Sequence, residues 1–452
     1  MKMNDNIKEG YFLNRELSWL EFNERVLEEA FDKSNPLLER LKFLAISASN
    51  LDEFFMIRVA SIMNQIDIGY REKDPSGISP KEQIKAISKR VHEMTARQYN
   101  CLLYSILPAL EKENIFCIRM TETNEAQKKY LKRYFTDVIY PVLTPMAIDK
   151  SRPFPLLMNK SLNIGVRMET HEKEEAFAFV QVPSILPRLI LIPADKGTVF
   201  VYLEDVIKEF IDDLFQGQHI RAVCPFRITR NGDLSIDEAD SEDLLKDIEN
   251  SIKRRKWGFP VRIEITKEMD ERLKEFLIND LEREEEEKIG LAEEDIYEIS
   301  GPLDLTVWMS FIKIQGYDHL KNAPLFSQRA ACFNKEQGIF DIIKEGDCIV
   351  HHPYETFDHV VEFIKAAAND PDVLAIKQTL YRVSGDSTVV KSLIQAAENG
   401  KQVTVLVEIK ARFDEENNIL WAKKLEKAGC HVVYGLVGLK THCKVLLVVR
   451  KE

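Results

Sequence analysis

Three short apolar runs alternate with two helix-like stretches near the end of the chain, and this alternation constrains the fold most. The runs are VLAIKQTLYRV, KQVTVLVEIK and CHVVYGL, and the stretches between them are STVVKSLIQAAEN and NNILWAKKLEKA. Gly400 and Gly429 directly follow the two stretches, where a residue of left-handed conformation commonly ends a helix. Strands and helices in this order predict right-handed βαβ units on a mostly parallel sheet.

Two arginines and a histidine fall at the ends of these predicted strands. Arg382 ends the first strand, Arg412 follows the second, and an antiparallel strand that returns after Gly435 and Gly438 begins with His442. Because ligands collect at the carboxyl edge of such sheets, we expect the three side chains to meet there. They are each 30 residues apart, about the length of one βαβ repeat.

The final segment, GLKTHCKVLLVVRKE, places His442 and Lys444 on one face of the returning strand. The residues from Val445 to Val449 are apolar on both faces, which is typical of a strand covered on both sides. In one interpretation His442 is a hydrogen-bonded core residue, Lys444 pairs with a carboxylate, and Arg412 pairs with Asp414 or Glu415. In the other, the arginines bind phosphate oxygens, Lys444 stabilises transferred charge and His442 attacks phosphorus.

The earlier part of the chain predicts two further domains. Helical periodicity in LSWLEFNERVLEEAF, with Ser18 as a candidate cap, and in the segments after it indicates an N-terminal helical domain at 1–113. Alternating runs such as LNIGVRM, AFAFVQV and LILIP, with helices near SEDLLKDIENSIKRRK and MDERLKEFLINDLEREEEEK, indicate a middle α+β domain at 114–328. The acidic run at 284–287 is interpreted as a solvated helix face. The C-terminal α/β domain then occupies 329–452.

Composition limits the classes of function. The 452 residues are 45% hydrophobic and 30% charged, which is typical of a globular chain of several domains. The formal net charge of −12 argues against nonspecific nucleic-acid binding. The seven cysteines form no C-x-x-C motif, so we expect reduced thiols. Neither a signal peptide nor an apolar run of membrane-spanning length is seen, so a cytoplasmic location is expected, with peripheral membrane association left open.

The motifs resemble those of the long bacterial polyphosphate kinases of the phospholipase D-like superfamily. The resemblance rests on FLNRELSWLEFNERVLEEA, SNLDEFFMIRVA, YPVLTPMAID, HHPYETFDHV, LAIKQTLYRVSGDS, VEIKARFDEENNILWAKKLEKAG and the final segment. Members of the superfamily carry H-x-K-x-x-x-x-D, and Val449 stands here in place of the aspartate. Polyphosphate kinases share that departure, so it counts against a phosphodiesterase. The resemblance implies a phospholipase D-like fold for the C-terminal α/β domain.

The resemblance also implies an activity and a set of site residues. The reaction would be reversible transfer of the terminal phosphate of ATP to inorganic polyphosphate, with Mg²⁺ as cofactor. By motif position His442 would become phosphohistidine, with Lys444 beside it, and Asn50 would contact ATP. Arg382 and Arg412 would form the magnesium-ATP site, where we expect them to bind phosphate oxygens, because Mg²⁺ prefers oxygen ligands to a guanidinium group. The expected partners are ATP, ADP, polyphosphate and further copies of the chain, without nucleic acid.

The family has a further domain with a second catalytic histidine beyond the first H-x-K strand. Within the predicted C-terminal α/β domain, no other histidine lies in an H-x-K motif, and the one further match in the chain, HEK at His171, falls in the predicted middle domain. We therefore expect an incomplete form that lacks its C-terminal domain, with weak or no turnover by the isolated chain. Two alternatives remain, namely a non-catalytic module that binds polyphosphate or nucleotide, and a phospholipase D-type phosphodiesterase, against which Val449 counts.

Overall fold

The computed structural model divides into two compact units. The first comprises the described residues within Met1–Asp233 and Arg255–Asn322, and the second those within Leu234–Arg254 and Ala323–Glu452. The predicted acidic helix face at 284–287 and most of the predicted helix at 241–256 lie outside the described residues. The domain boundaries drawn from the sequence stay a prediction. The described residues are 11–148, 156–170, 172–233, 245, 246, 248, 249, 258–283, 291–333, 337–383, 385–412, 414–435 and 438–452.

Helices dominate the start of the first unit, as the sequence predicts. The expected cap at Ser18 is wrong. Asn14 caps the first helix, because its side-chain oxygen accepts the N–H groups of Glu16 and Leu17, while the N–H of Ser18 is already bonded to the Asn14 carbonyl. The α-helices of this unit are α1 (Arg15–Phe31), α2 (Leu37–Phe54), α3 (Ala60–Asp67), α4 (Pro80–Cys101), α5 (Leu107–Lys112), α6 (Glu125–Tyr134), α7 (Leu203–Glu209), α8 (Glu271–Arg283) and α9 (Trp308–Phe311).

Shorter helical segments connect these helices. Three π-helical segments continue α2, α4 and α6, at Phe55–Val59, Leu102–Ile106 and Phe135–Ile139. Turns of 3₁₀-helix in the two units lie at Met120–Glu122, Tyr140–Val142, Ile211–Asp213, Glu293–Asp295, Leu305–Val307, Asp318–Leu320 and Ala331–Phe333. Among the described residues, no helix is both long and apolar enough to span a membrane.

Two sheets complete the first unit, which is the α+β region that the alternating runs predict. One has six strands in the order β2-β4-β3-β7-β8-β9, and the other has three in the order β1-β6-β5. One apolar core joins the helices to the three-stranded sheet and includes Leu20, Leu44, Val91, Phe200 and Trp308. The strands are β1 (Ile115–Cys117), β2 (Pro145–Ile148), β3 (Leu162–Glu169), β4 (Glu175–Gln181), β5 (Leu189–Ile192), β6 (Thr198–Tyr202), β7 (His219–Arg230), β8 (Pro260–Thr266) and β9 (Ile296–Ile299).

The second unit contains the predicted alternation of strands and helices. Its sheet has the order β12-β11-β10-β13, in which β10, β11 and β12 are parallel and β13 is antiparallel to β10. Gly400 and Gly429 follow their helices with φ of +81° and +89°, as the sequence predicts. The elements are α10 (Ile339–Glu345), α11 (Asp358–Asn369), β10 (Val373–Leu380), α12 (Thr388–Glu398), β11 (Gln402–Val407), α13 (Glu415–Lys427), β12 (His431–Val433) and β13 (Leu446–Arg450).

The returning strand is shorter than predicted and is covered on one face only. β13 begins at Leu446, so the predicted strand start at His442 is wrong. Val448 packs against the core, whereas Leu447 is 50% exposed and Val449 41%, so the predicted cover on both sides is also wrong. One face lacks cover because the right-handed crossovers from β10 to β11 and from β11 to β12 run in the same direction. Both crossover helices, α12 and α13, therefore lie on the other face of the sheet.

Candidate active site

The carboxyl ends of β10 and β11 bring the two predicted arginines together. Nη2 of Arg382 donates to the carbonyl oxygen of Arg412 at 3.2 Å, and its Nε lies 2.8 Å from Oδ2 of Asp414. Asp414 therefore pairs with Arg382. The Arg382 side chain is 57% exposed, so it can still present N–H groups to a ligand at this edge.

Tyr381 connects Arg382 to the histidine. Its ring meets the His442 imidazole edge-on, with centroids 5.0 Å apart and planes at 77°. Nζ of Lys444 lies 4.6 Å from the centroid of the Tyr381 ring, and Cζ of Arg382 lies 6.0 Å from it. Lys444 Nζ also donates to the carbonyl oxygen of His442 at 2.6 Å. An imidazole, an ammonium group and a guanidinium group thus surround one aromatic ring.

His442 and Lys444 are both exposed, so the interpretation of His442 as a core residue is wrong. Within the described part of the chain, no carboxylate forms an ion pair with Lys444, so that part of the same interpretation is wrong as well. The ammonium group contacts a carbonyl oxygen and an aromatic face instead. Both groups are therefore accessible to an anion from solvent, and phosphate oxygens suit lysine and arginine donors.

A buried asparagine holds the two strand ends in register. Nδ2 of Asn418, in the first turns of α13, donates to the carbonyl oxygens of Tyr381 and Glu408, each at 2.8 Å. Asn418 is fully buried. The backbone N–H of Glu408 also donates to the carbonyl of Leu380 at 2.8 Å. These bonds fix the backbone that carries Tyr381 and, one residue later, Arg382.

Two glycines shape the return of the chain toward the site. Gly435 has φ of +66° and Gly438 has φ of +73°, a region that residues with a side chain rarely enter. The chain can therefore reverse after β12 and bring the segment from Gly438 to Lys444 back to the sheet edge. This is the turn that the two glycines predict in the sequence.

Asn50 lies in the first unit, on α2. Its Nδ2 donates to Oδ1 of Asn23 at 2.9 Å. Asn23 is fully buried, and its own Nδ2 donates to the carbonyl of Ser47 at 3.0 Å. The Asn50 side chain is thus oriented by a neighbour that is itself fixed. Its proposed contact with ATP stays a prediction.

The side chains at this edge do not fit a magnesium ion held by the protein. Within the described residues, no group of three or more histidine, cysteine, aspartate and glutamate side chains could hold a metal. Arg382 and Arg412 carry no oxygen ligand on their side chains, and Mg²⁺ requires oxygen donors. Guanidinium groups suit phosphate oxygens, and binding of phosphate by Arg382 and Arg412 stays a prediction. All seven cysteines are free thiols.

Sequence reasoning missed Tyr381, Asn418 and Glu408. Tyr381 directly precedes a candidate arginine at a strand end, which is the one signal that pointed to it. Asn418 and Glu408 lie in the segment VEIKARFDEENN, whose pattern reveals no partner for either of them. Besides their contact with each other, Asn418 bonds Tyr381 and Glu408 bonds Leu380, both distant in sequence, and only the fold identifies these two partners.

A parallel α/β sheet with guanidinium, ammonium and imidazole groups at its carboxyl edge is typical of proteins that bind phosphorylated ligands there. Comparison with known proteins then gives the family. The models of the polyphosphate kinase N-terminal domain, middle domain and C-terminal domain 1 match residues 12–118, 126–311 and 338–452. The chain belongs to the polyphosphate kinase family.

The relatives that match along the chain carry the same name. A polyphosphate kinase from Halalkalibacterium halodurans is 51% identical over 98% of this chain and 62% of its own length. One from Lactiplantibacillus plantarum is 49% identical over 98% of this chain and 61% of its own length. The crystal structure of polyphosphate kinase from Porphyromonas gingivalis has a TM-score of 0.79 and 28% identity, over 98% of this chain and 62% of that one.

The chain thus spans 61–62% of the length of these relatives. The expectation that it lacks its C-terminal domain is not supported, because C-terminal domain 1 of the family matches residues 338–452.

Proposed function

We propose that the chain accepts the terminal phosphate of ATP on His442 and passes it to inorganic polyphosphate, reversibly. The observation that carries this proposal is the grouping of His442, Lys444 and Arg382 around the ring of Tyr381 at the sheet edge. The polyphosphate kinase name of the relatives supports the choice of substrates.

In the forward step, an unprotonated ring nitrogen of His442 attacks the γ-phosphorus of ATP. The bond from that phosphorus to the β,γ-bridging oxygen breaks, ADP leaves, and the ring releases the proton of its other nitrogen to solvent. A terminal oxygen of polyphosphate then attacks the phosphohistidine. The phosphorus–nitrogen bond breaks, the ring regains a proton, and the polyphosphate is one phosphate longer. Such transfer depends mainly on placement and on stabilisation of the transferred charge.

The cationic side chains have separate roles in this proposal. Arg382 and Arg412 bind oxygens of the nucleotide phosphates, for which a planar guanidinium provides paired donors. Lys444 stabilises charge on the transferred group. Asn50 contacts ATP. Magnesium would arrive bound to the nucleotide, and no step is assigned to a protein-held ion.

Labelling with [γ-³²P]ATP and magnesium tests the first step, which needs only groups present in the described residues. We expect a label on the chain that is stable to base and labile to acid, and that is absent in His442→Ala. The matched control is His431→Ala, which changes another exposed histidine, at the start of β12, and should leave the label in place. An unlabelled wild-type chain, or a labelled His442→Ala variant, would contradict the proposal.

The non-catalytic alternative predicts another result from the same preparations. Nucleotide would bind saturably without any label, and binding would weaken in Arg382→Ala and Arg412→Ala. Equilibrium binding of ATP, measured beside the labelling, therefore separates a phosphate-binding module from a phosphotransferase.

A further inference from the structure

Side chains from two strands hold the backbone on both sides of His442. Oε2 of Glu408 accepts the N–H of Thr441 at 2.7 Å, and Oγ1 of Thr379 donates to the carbonyl oxygen of Cys443 at 2.8 Å. Thr441 and Cys443 are the immediate neighbours of His442. The backbone of His442 is therefore attached to the sheet one residue before and one residue after its own position.

Glu408 is suited to this role because it is itself fixed. It is fully buried directly after β11, and its Oε1 accepts the N–H of Lys410 at 3.0 Å. A buried carboxylate is unfavourable unless hydrogen bonds replace its hydration, and here both oxygens accept backbone N–H groups. Lys410 adds a second attachment on the same side, because its Nζ donates to the carbonyl of Leu439 at 3.2 Å.

Thr379 fixes the other side in a similar way. Its Oγ1 accepts the N–H of Val445 at 2.9 Å, and its own N–H donates to the carbonyl of Val445 at 3.0 Å. The hydroxyl thus bridges Cys443 and Val445 across the residue Lys444. Thr379 is the penultimate residue of β10, two residues before Tyr381.

The segment needs these attachments because it forms no regular part of the sheet. The pairing of β13 with β10 ends at Gln378 and Leu446, four residues after His442. Between Gly438 and Leu446, side-chain bonds from Glu408 and Thr379 take over from the ladder. The direction of the His442 side chain depends on the backbone that these bonds hold.

We propose that Glu408 and Thr379 are positioning residues that set the place of the His442 imidazole for phosphoryl transfer. This proposal rests on the proposed function of His442. In this proposal neither Glu408 nor Thr379 contacts the transferred phosphate. Each acts through the backbone, and displacement of a reacting group by about 1 Å can slow a reaction on the order of 100-fold.

Two near-isosteric substitutions test the two sides separately. Glu408→Gln replaces one accepting oxygen with an NH₂ group, so Thr441 and Lys410 no longer both find an acceptor. Thr379→Val keeps the β-branched shape and removes the hydroxyl. The controls are Glu398→Gln, an exposed glutamate at the end of α12, and Thr404→Val, a half-buried threonine of β11.

Two measurements are made on each variant of the 452-residue chain. Amide hydrogen exchange should become faster at Thr441 in Glu408→Gln and at Val445 in Thr379→Val, and stay unchanged in the controls. The rate of His442 phosphorylation at saturating ATP should fall roughly 10- to 100-fold, with the apparent KM for ATP unchanged, because the nucleotide contacts are not altered. A general loss of structure would instead affect both constants.

The possible failures are distinguishable. If the amides exchange faster but the rate is unchanged, the two residues do not position His442; if the amides are unchanged, the attachments are not present in solution. Either result overturns this proposal alone. A wild-type chain that forms no phosphohistidine overturns the proposed function and the positioning role with it. Should Glu408→Gln fail to fold, as shown by thermal unfolding, Thr379→Val decides the proposal.

Discussion

The ring of Tyr381 meets the imidazole of His442 edge-on, at 5.0 Å between centroids. The same ring faces the ammonium group of Lys444 at 4.6 Å, and the next residue is Arg382. The residue after β10 therefore places one aromatic ring against both the candidate nucleophile and the cations. This arrangement makes Tyr381 the residue through which the groups of the site are held relative to one another.

The aromatic ring of Tyr381, and not its hydroxyl, makes these contacts. We therefore expect Tyr381→Leu to slow phosphorylation of His442 roughly tenfold, because the loss of a contact between a cation and an aromatic ring costs about 1 kcal/mol or more. Tyr381→Phe keeps the ring and should stay close to the wild-type rate. Single-turnover labelling with ATP measures both. Equal rates for the two variants would contradict the role of the ring.

Much of the second unit was predictable because the signals are local. The glycines after the helices, the apolar runs and the order of elements give the parallel sheet. The carboxyl ends of parallel strands lie at one edge, so Arg382 and Arg412 had to be neighbours once the strands were recognised. The meeting of His442 with that edge followed from the turn at Gly435 and Gly438. The phospholipase D-like character of this unit stays a prediction.

The contacts that refine the site were not predictable, because they join residues that are distant in sequence. Thr441 and Glu408 are separated by 33 residues, and Val445 and Thr379 by 66. An alternating apolar pattern also does not reveal where the ladder begins, since His442 and Lys444 continue the period of β13 without belonging to it. For that reason the predicted strand was too long and its outer face was expected to be covered.

The guanidinium of Arg382 offers more than a positive charge. Its Nη2 donates to the Arg412 carbonyl, and its Nε pairs with Asp414. The single ammonium group of a lysine cannot make paired bonds of this kind. We expect Arg382→Lys to raise the apparent KM for ATP roughly tenfold, since a hydrogen bond to a charged group contributes about 1.5 kcal/mol or more. Initial rates of labelling over a range of ATP concentrations give this constant.

The control for this variant is Arg450→Lys. Arg450 ends β13 at the opposite edge of the same sheet, where it pairs with Asp370 at 2.9 Å. Its replacement should leave the apparent KM for ATP unchanged. An equal rise in the two variants would show that the effect is not specific to the site.

Asn418 joins the ends of β10 and β11, so its loss should destabilise the second unit. Asn418→Ala leaves the carbonyls of Tyr381 and Glu408 without their shared donor, and we expect a loss of about 1 to 3 kcal/mol in the free energy of unfolding. Asn417→Ala changes the exposed neighbour in α13 and should have little effect. Urea unfolding measures the difference, and equal stability of the two variants would contradict the role of Asn418.

Asp52 is the centre of a buried ion network in the first unit. Its carboxylate accepts N–H groups of Arg227 at 2.9 and 2.5 Å and of Arg262 at 2.5 Å, and Arg227 also binds Glu264 at 2.7 Å. Burial alone would raise the pKa of Asp52, but the two guanidinium groups outweigh it and lower the pKa to about 2. The ionised carboxylate therefore stabilises the folded unit.

The direction of the pH dependence follows from that lowered pKa. An aspartate in an unfolded chain has a pKa of about 3.9, so the contribution of Asp52 to stability is complete above about pH 4 and is lost as the pH falls toward 2.

Asp52→Asn leaves two buried guanidinium groups without a charged partner and should lower the free energy of unfolding by about 3 to 5 kcal/mol at neutral pH. Urea unfolding of the variant and the wild type at several pH values should show this deficit shrinking below pH 4. The control is Glu53→Gln, which changes an exposed carboxylate on the same helix and should show no such deficit. A deficit that stays constant down to pH 2 would mean that the ionised form of Asp52 is not what stabilises the unit.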